Sequence, residues 1–290
     1  FGVWADGHFR WMADPGWQRT LRYEDDTMVT RVTLEHPDLG LRLETGDIVD
    51  FHEDLYLRQL DVHDLTGRSR EVRVFFSHDF HIGGNDVGDS AYYEPERRAV
   101  FHYKGKRWFM INAARQEDDS WVTGVDQWAV GISEALGKEG TWRDAEDGTL
   151  SGHSVKQGSV DSTVGLHLTV PAHGSATGWH WIAVGEDFAT VTRINRTVRQ
   201  KGPAALLKRT RDYWRLWATK EGDTFADLPE SLCRLYRRSL LVLRTNIDNH
   251  GAIIAANDYD VTTFNRDTYS YMWPRDGALV ASGLVSAGYS

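Results

Sequence analysis

Cysteine is nearly absent from this 290-residue chain. Cys233 stands alone, so no intrachain disulfide can form, and the residue reads as a small buried hydrophobe on a helix. The lack of disulfides favours a reducing, cytoplasmic compartment. Long apolar runs are missing too. The best of them, Leu240-Leu241-Val242-Leu243, is far too short to span a bilayer. No basic run exceeds a few residues and the net charge is −9, which removes the positive stripe that nucleic-acid binding requires. The sequence contains no GxSxG elbow, HExxH pair, Walker-type loop or dinucleotide fingerprint, and no Ser/His/Asp or Cys/His set. It opens on Phe1 within a strand-like pattern and closes on Ser290 within a helical one. Both ends therefore read as cut, with any localisation signal outside.

What is present falls into two halves of different period. From Phe1 to about Arg196 the apolar residues alternate. Asp6-Gly7 is a hairpin signal, Val72, Val74, Phe76 and His78 share one face, and Val164, Leu166, Leu168 and Val170 share another. Many short antiparallel strands with one apolar face describe a large β-sandwich, and Val130–Leu136 is the best candidate for a helical break within it. Past Arg196 the period becomes 3.6. Gly202-Pro203 starts one helix, and a second begins near Pro229 with Leu232, Tyr236, Leu240, Leu243 and Ile247 in register. A third begins around Asp276, where Gly283 would permit close helix approach. Leu240–Leu243 is apolar all round, the pattern of a helix buried on every side. Three helices cannot enclose it, so this half reads as the opening of a larger all-α domain.

The chemistry concentrates in Trp273-Pro274-Arg275-Asp276, preceded by Tyr269 and Tyr271. An indole can cover the C–H face of a sugar ring, while a guanidinium donates to its hydroxyl oxygens and a carboxylate accepts from its hydroxyl hydrogens. Taken singly, the residues have plainer readings. Asp276 as helix cap or first-turn charge stabilises by about 0.5–2 kcal/mol. Arg275 is ordinarily a surface group and Trp273 a packing group. His78 and His81, with Asn85, Asp86 and Asp89 in a glycine-flexible loop, raise a metal reading, with structural calcium the candidate ion. Against it, strand geometry points the two histidines apart, and Asn and Asp are ordinary turn residues. Arg234, Arg237, Arg238 and Arg244 suggest phosphate, or else the wet side of an apolar helix. No Asp/Glu pair can be given acid and base roles from spacing.

Three stretches resemble a known family: Ser239–Arg244, Gly251–Ala256 and Asp267-Thr268-Tyr269-Ser270-Tyr271-Met272-Trp273-Pro274-Arg275-Asp276-Gly277-Ala278-Leu279. They are similar to glycoside hydrolase family 15, in its branch of prokaryotic glucoamylases, glucodextranases and trehalases. The motif likeness covers about 229–290, and Phe76–Tyr93 also looks like the family. The resemblance implies a large antiparallel β-sandwich (1–196), a helical linker (197–228) and the first helices of an (α/α)6 barrel (229–290). It places Tyr269, Trp273, Arg275 and Asp276 around the non-reducing terminal glucose of an α-linked gluco-oligosaccharide, or around trehalose. It implies inversion by two glutamates about 6.5–9.5 Å apart. Both belong to barrel loops beyond residue 290, so no catalytic residue is assigned, no cofactor is called for, and the chain alone is expected to be inactive. Two alternatives stand beside it: an inverting disaccharide phosphorylase, and a non-catalytic carbohydrate-binding or scaffold sandwich.

Overall fold

A computed structural model of the chain describes all residues except 85, 86, 119, 134–138, 221–224, 226, 256–270 and 290. Its first strands are β1 (Gly2–Ala5), β2 (His8–Trp11), β3 (Gln18–Tyr23), β4 (Thr30–His36), β5 (Leu41–Val49), β6 (Leu55–Asp64) and β7 (Arg70–Asp79). There follow β8 (Asp89–Glu94), β9 (Ala99–Lys104), β10 (Arg107–Glu117), β11 (Ser120–Thr123) and β12 (Gln127–Ile132). A 3-10 segment, Thr141–Asp147, precedes β13 (Val155–Gly158), β14 (Val160–Val170) and β15 (Ser175–Gly185). Four helices close the order: α1 (Phe188–Lys201), α2 (Pro203–Ala218), α3 (Glu230–Thr245) and α4 (Pro274–Ser286).

The strands form a β-sandwich. Five make one sheet in the order β12-β14-β7-β1-β2, and ten make the other, β13-β8-β9-β10-β15-β6-β5-β4-β3, with β11 hairpinned onto β10. The expected Asp6-Gly7 turn joins β1 to β2. Both residues have positive φ, 52° and 83°, the conformation that two-residue hairpins need to match strand twist. Between the sheets lie Val3, Leu41, Leu43, Leu60, Val62, Val72, Val74 and Leu166.

One apolar face per strand was the expectation, but both sheets are covered on both faces. On the outer face of the large sheet, Leu57, Phe101, Met110, Trp179 and Trp181 pack against Val191, Ile194 and Val198 of α1 and Leu206 and Leu207 of α2. On the outer face of the small sheet, Phe75, Ala129, Ala145 and Leu150 gather with Trp4, Phe9 and Trp11. Phe75, on the face of β7 opposite Val72, Val74 and Phe76, is therefore fully buried. Two further readings change. Val130–Ile132 belongs to β12 rather than to a helix, and the short helical turn comes later, at Thr141–Asp147. Strand structure ends at Gly185, and residues 188–196 are already helical.

Helix α1 begins where the Asp187 carboxylate accepts from the Thr190 N–H at 2.7 Å, and Gly202 and Pro203 separate it from α2. The chain divides into two compact units, Phe1–Arg22 with Val29–Thr210, and Tyr23–Met28 with Arg211–Ser290. In the first unit the buried Asp50 carboxylate accepts from the His52 and Glu53 N–H groups, from Arg209 at 2.8 Å and from Thr210 at 3.0 Å. In the second, Leu240, Leu284 and Tyr289 form a small core with Trp217, Leu243, Ile247 and Val280. Cys233 is buried on α3, as read from the sequence. The same helix is not buried on every side within this chain, because Leu232, Leu235, Tyr236 and Val242 are exposed. Among the described residues no helix packs against Gly283, where a Cβ would meet nothing within 4 Å outside its own stretch of α4. Among the described residues no helix is long and apolar enough to cross a membrane.

Candidate functional site

The Trp-Pro-Arg-Asp stretch sits at the entrance of α4. Isolated bridges pair Ile247 with Ile253 and Ile254 with Met272, and the Ala255 N–H donates to the Tyr271 carbonyl at 3.1 Å. This pairing delivers Trp273 in extended conformation (φ −107°, ψ 116°), as the residue before a proline prefers, and Pro274 takes the first helical position. Among the described residues no side chain caps the start. The first intrahelical bond runs from the Gly277 N–H to the Trp273 carbonyl at 2.8 Å. The N–H groups of Arg275 and Asp276 precede it and have no acceptor within the helix. Asp276 thus occupies the first turn without closing a cap. Its charge complements the positive end of the helix.

None of the three described motif side chains is consumed by packing. Trp273 is 46% exposed and the Arg275 side chain 81% exposed, with Asp276 half-buried between them. Arg275 Nη2 lies 3.2 Å from Asp276 Oδ2. An ion pair this open contributes little to stability, about 0–1 kcal/mol, so nothing structural demands it. Together they offer an indole face, guanidinium donors and carboxylate acceptors on one short arc of backbone. Tyr269, the fourth expected residue, lies outside the described residues.

Elsewhere the singled-out residues serve the fold. His78 turns into the sandwich with its Nε2 3.0 Å from that of His180, and His102 Nε2 lies 2.7 Å from Ser162 Oγ. Burial holds the pKa of His78 and of His102 down to about 3, and that of His180 well below the usual imidazole range. His81 instead stands outside, 3.3 Å from Asp79, so His78 and His81 do not converge on one ion. Asp89 accepts from the Ile82 N–H and pairs with Lys104, while Asn85 and Asp86 lie outside the described residues. Among the described residues no three His, Cys, Asp or Glu side chains group as a metal set. On α3, Arg237 lies 3.6 Å from Asp26, Arg238 donates to the Thr27 carbonyl, and Arg244 donates to the Ile247 carbonyl. Composition could not sort the twelve tryptophans. The structure leaves two of them exposed, Trp121 and Trp273.

A two-sheet sandwich followed by a partial helical domain is a glycoside-hydrolase-like architecture. The chain is similar to a bacterial glucoamylase solved in complex with acarbose, with a TM-score of 0.73 and 13% identity, over 99% of this chain and 41% of that one. It is also similar to a kojibiose phosphorylase from the human microbiome, with a TM-score of 0.56 and 8% identity, over 88% of this chain and 32% of that one. At these identities the likeness is one of fold, and the chain spans less than half the length of either neighbour. No family model matches the sequence, and no curated protein does.

Proposed function

We propose that these residues form the sandwich and opening helices of an inverting, exo-acting α-glucoside hydrolase of the family 15 type. Such an enzyme releases glucose from the non-reducing ends of α-glucans or from trehalose. The observation that carries the reading is the entrance of α4, where Trp273 and Arg275 stay exposed beside the half-buried Asp276 and the open Arg275–Asp276 pair contributes little to stability. A pocket for the last sugar of a chain must satisfy that sugar's free hydroxyls, because an unpaired buried polar group costs about 1–3 kcal/mol. Arg275 donates and Asp276 accepts in such a pocket, Trp273 covers the ring, and Tyr269 completes the wall. The general acid and base are contributed by sequence other than this chain. The acarbose bound by the glucoamylase neighbour supports an α-gluco-oligosaccharide as substrate class.

In the whole enzyme, Arg275→Ala is expected to lower kcat/KM on maltooligosaccharides by about 2–4 kcal/mol, roughly 30- to 1,000-fold, with an unchanged melting temperature. Unaltered catalytic efficiency removes Arg275 from the site. The 290-residue chain by itself is expected to release no glucose, and robust release would overturn the placement of the catalytic pair. A disaccharide phosphorylase is the second reading, supported by the kojibiose phosphorylase likeness. Turnover that requires inorganic phosphate and yields a sugar phosphate would select it.

A further inference from the structure

The sandwich unit carries a second place suited to a ligand, far in sequence from the α4 entrance. A groove of about 650 Å³ opens between the outer side of α1, the β11 strand and the turn at Glu96-Arg97. That size falls within the range of about 300–1,000 Å³ common for small-molecule sites. Trp121 stands on one side. Edge-to-face contact with the buried Trp179, ring centroids 5.9 Å apart, fixes its indole while 38% of the residue stays exposed. Across from it, α1 presents Arg196 and Arg199 three residues apart on one face, and among the described residues neither is paired with a carboxylate.

At the floor lies Asn195, 3% exposed. Its Oδ1 accepts from Asn112 Nδ2 at 3.2 Å and from Trp181 Nε1 at 3.1 Å. These two donors fix the amide orientation, since a reversed amide would set its NH2 against both of them. Asn195 Nδ2 is thereby locked as a donor, and among the described residues it donates to no group.

Of its three arginines, Arg97 is already engaged, 2.9 Å from Glu94 and 3.6 Å from Glu96, which leaves Arg196 and Arg199 to face the groove, in a chain whose net charge is −9. Charge complementing the end of the helix explains Arg199, in the last turn. It explains neither Arg196, a turn earlier, nor the locked Asn195 donor, nor the indole opposite. A flat apolar face with guanidinium forks and a fixed amide donor suits a ring that carries an anion. We propose that this groove binds an acidic saccharide, its ring on Trp121, its carboxylate or phosphate between Arg196 and Arg199, and a ring oxygen on Asn195.

The test is calorimetric titration of the 290-residue chain with glucuronate, glucose 6-phosphate, glucose and inorganic phosphate. At least one of the two acidic sugars is expected to bind at least 10-fold more tightly than glucose or phosphate, and the one that binds identifies the anion. The double variant Arg196→Gln/Arg199→Gln should weaken that binding at least 10-fold and Trp121→Ala several-fold. Arg196 and Arg199 are exposed, so the thermal melt of the double variant should not move. Arg275→Ala should leave the binding intact, which separates this groove from the α4 entrance. The proposal falls if neither acidic sugar binds, if glucose or phosphate alone binds as tightly, if the double variant binds normally, or if Arg275→Ala removes the binding.

Discussion

The two units spend their side chains differently. In the first, three clusters of buried residues line both faces of both sheets, and hydrogen bonds join several of its buried polar groups. Asp50 is enclosed by Arg209, Thr210 and two backbone N–H groups, and three histidines lie inside the sandwich. In the second, one small cluster around Leu240 and Leu284 serves as the core, while Leu232, Leu235, Tyr236, Leu279 and Val285 stay exposed. The same residue type therefore means different things in the two places. A buried carboxylate in the first unit holds the fold. A half-exposed one at the α4 entrance pairs with the open Arg275 guanidinium and bears little of the fold's stability.

Acid should break this contrast most visibly. His78 and His102 have folded pKa values near 3, and that of His180 is also depressed, against about 6.5 for an unfolded histidine. Between these values the unfolded chain binds protons that the folded sandwich refuses. The folding advantage is complete above about pH 6.5 and declines as pH falls toward 3. Below the ordinary Asp range, Asp50, whose pKa is lowered by its bonds to Arg209 and the loop N–H groups against the effect of burial, adds a further loss. Melting followed by near-ultraviolet dichroism of the buried tryptophans should show a marked fall in Tm across this window. A flat profile would mean that the three rings are hydrated.

Next in size is Asp50→Ala. Removing one partner of a buried ion pair should cost about 3–5 kcal/mol in urea unfolding, since Arg209 and Thr210 lose their acceptor. A loss below about 1 kcal/mol would show that this carboxylate does not hold the unit together. Leu57→Ala, at a fully buried position under α1 and α2, should cost about 2–4 kcal/mol in the same assay. The smallest effect belongs to the second unit. Leu235→Ala, at a position 60% exposed, should change stability by no more than about 0.5 kcal/mol. If Leu235→Ala instead matched Leu57→Ala, the difference between the two units would vanish.

Much of this was legible locally. Asp6-Gly7 specifies its hairpin, and prolines 203, 229 and 274 each mark a helix start, because the conformational limits of these residues act within a few positions. The first part of helix α1 escaped because Val191, Thr192 and Ile194 are β-branched and fall in the stretch read as strand, up to about Arg196. Packing Val191, Ile194 and Val198 against the sheet overrides that preference. Missing the helix also hid the spacing of Arg196 and Arg199. Of the motif at the α4 entrance, the chemical identity was readable from its four residues, whereas its exposure was not.

The sequence by itself determined the division into a strand-rich and a helix-rich part, the points where most helices begin, and the chemistry of the Trp-Pro-Arg-Asp stretch. These rest on periodicity and on backbone restrictions that operate between near neighbours. Only the tertiary structure decided that Phe75 is interior, that His78 faces His180, and that Trp121 shares a groove with Asn195 and Arg196. The last two relations join residues 74 to 102 positions apart. Which side chains meet across such distances follows from how the sheets and α1 stack, and no local pattern carries that information.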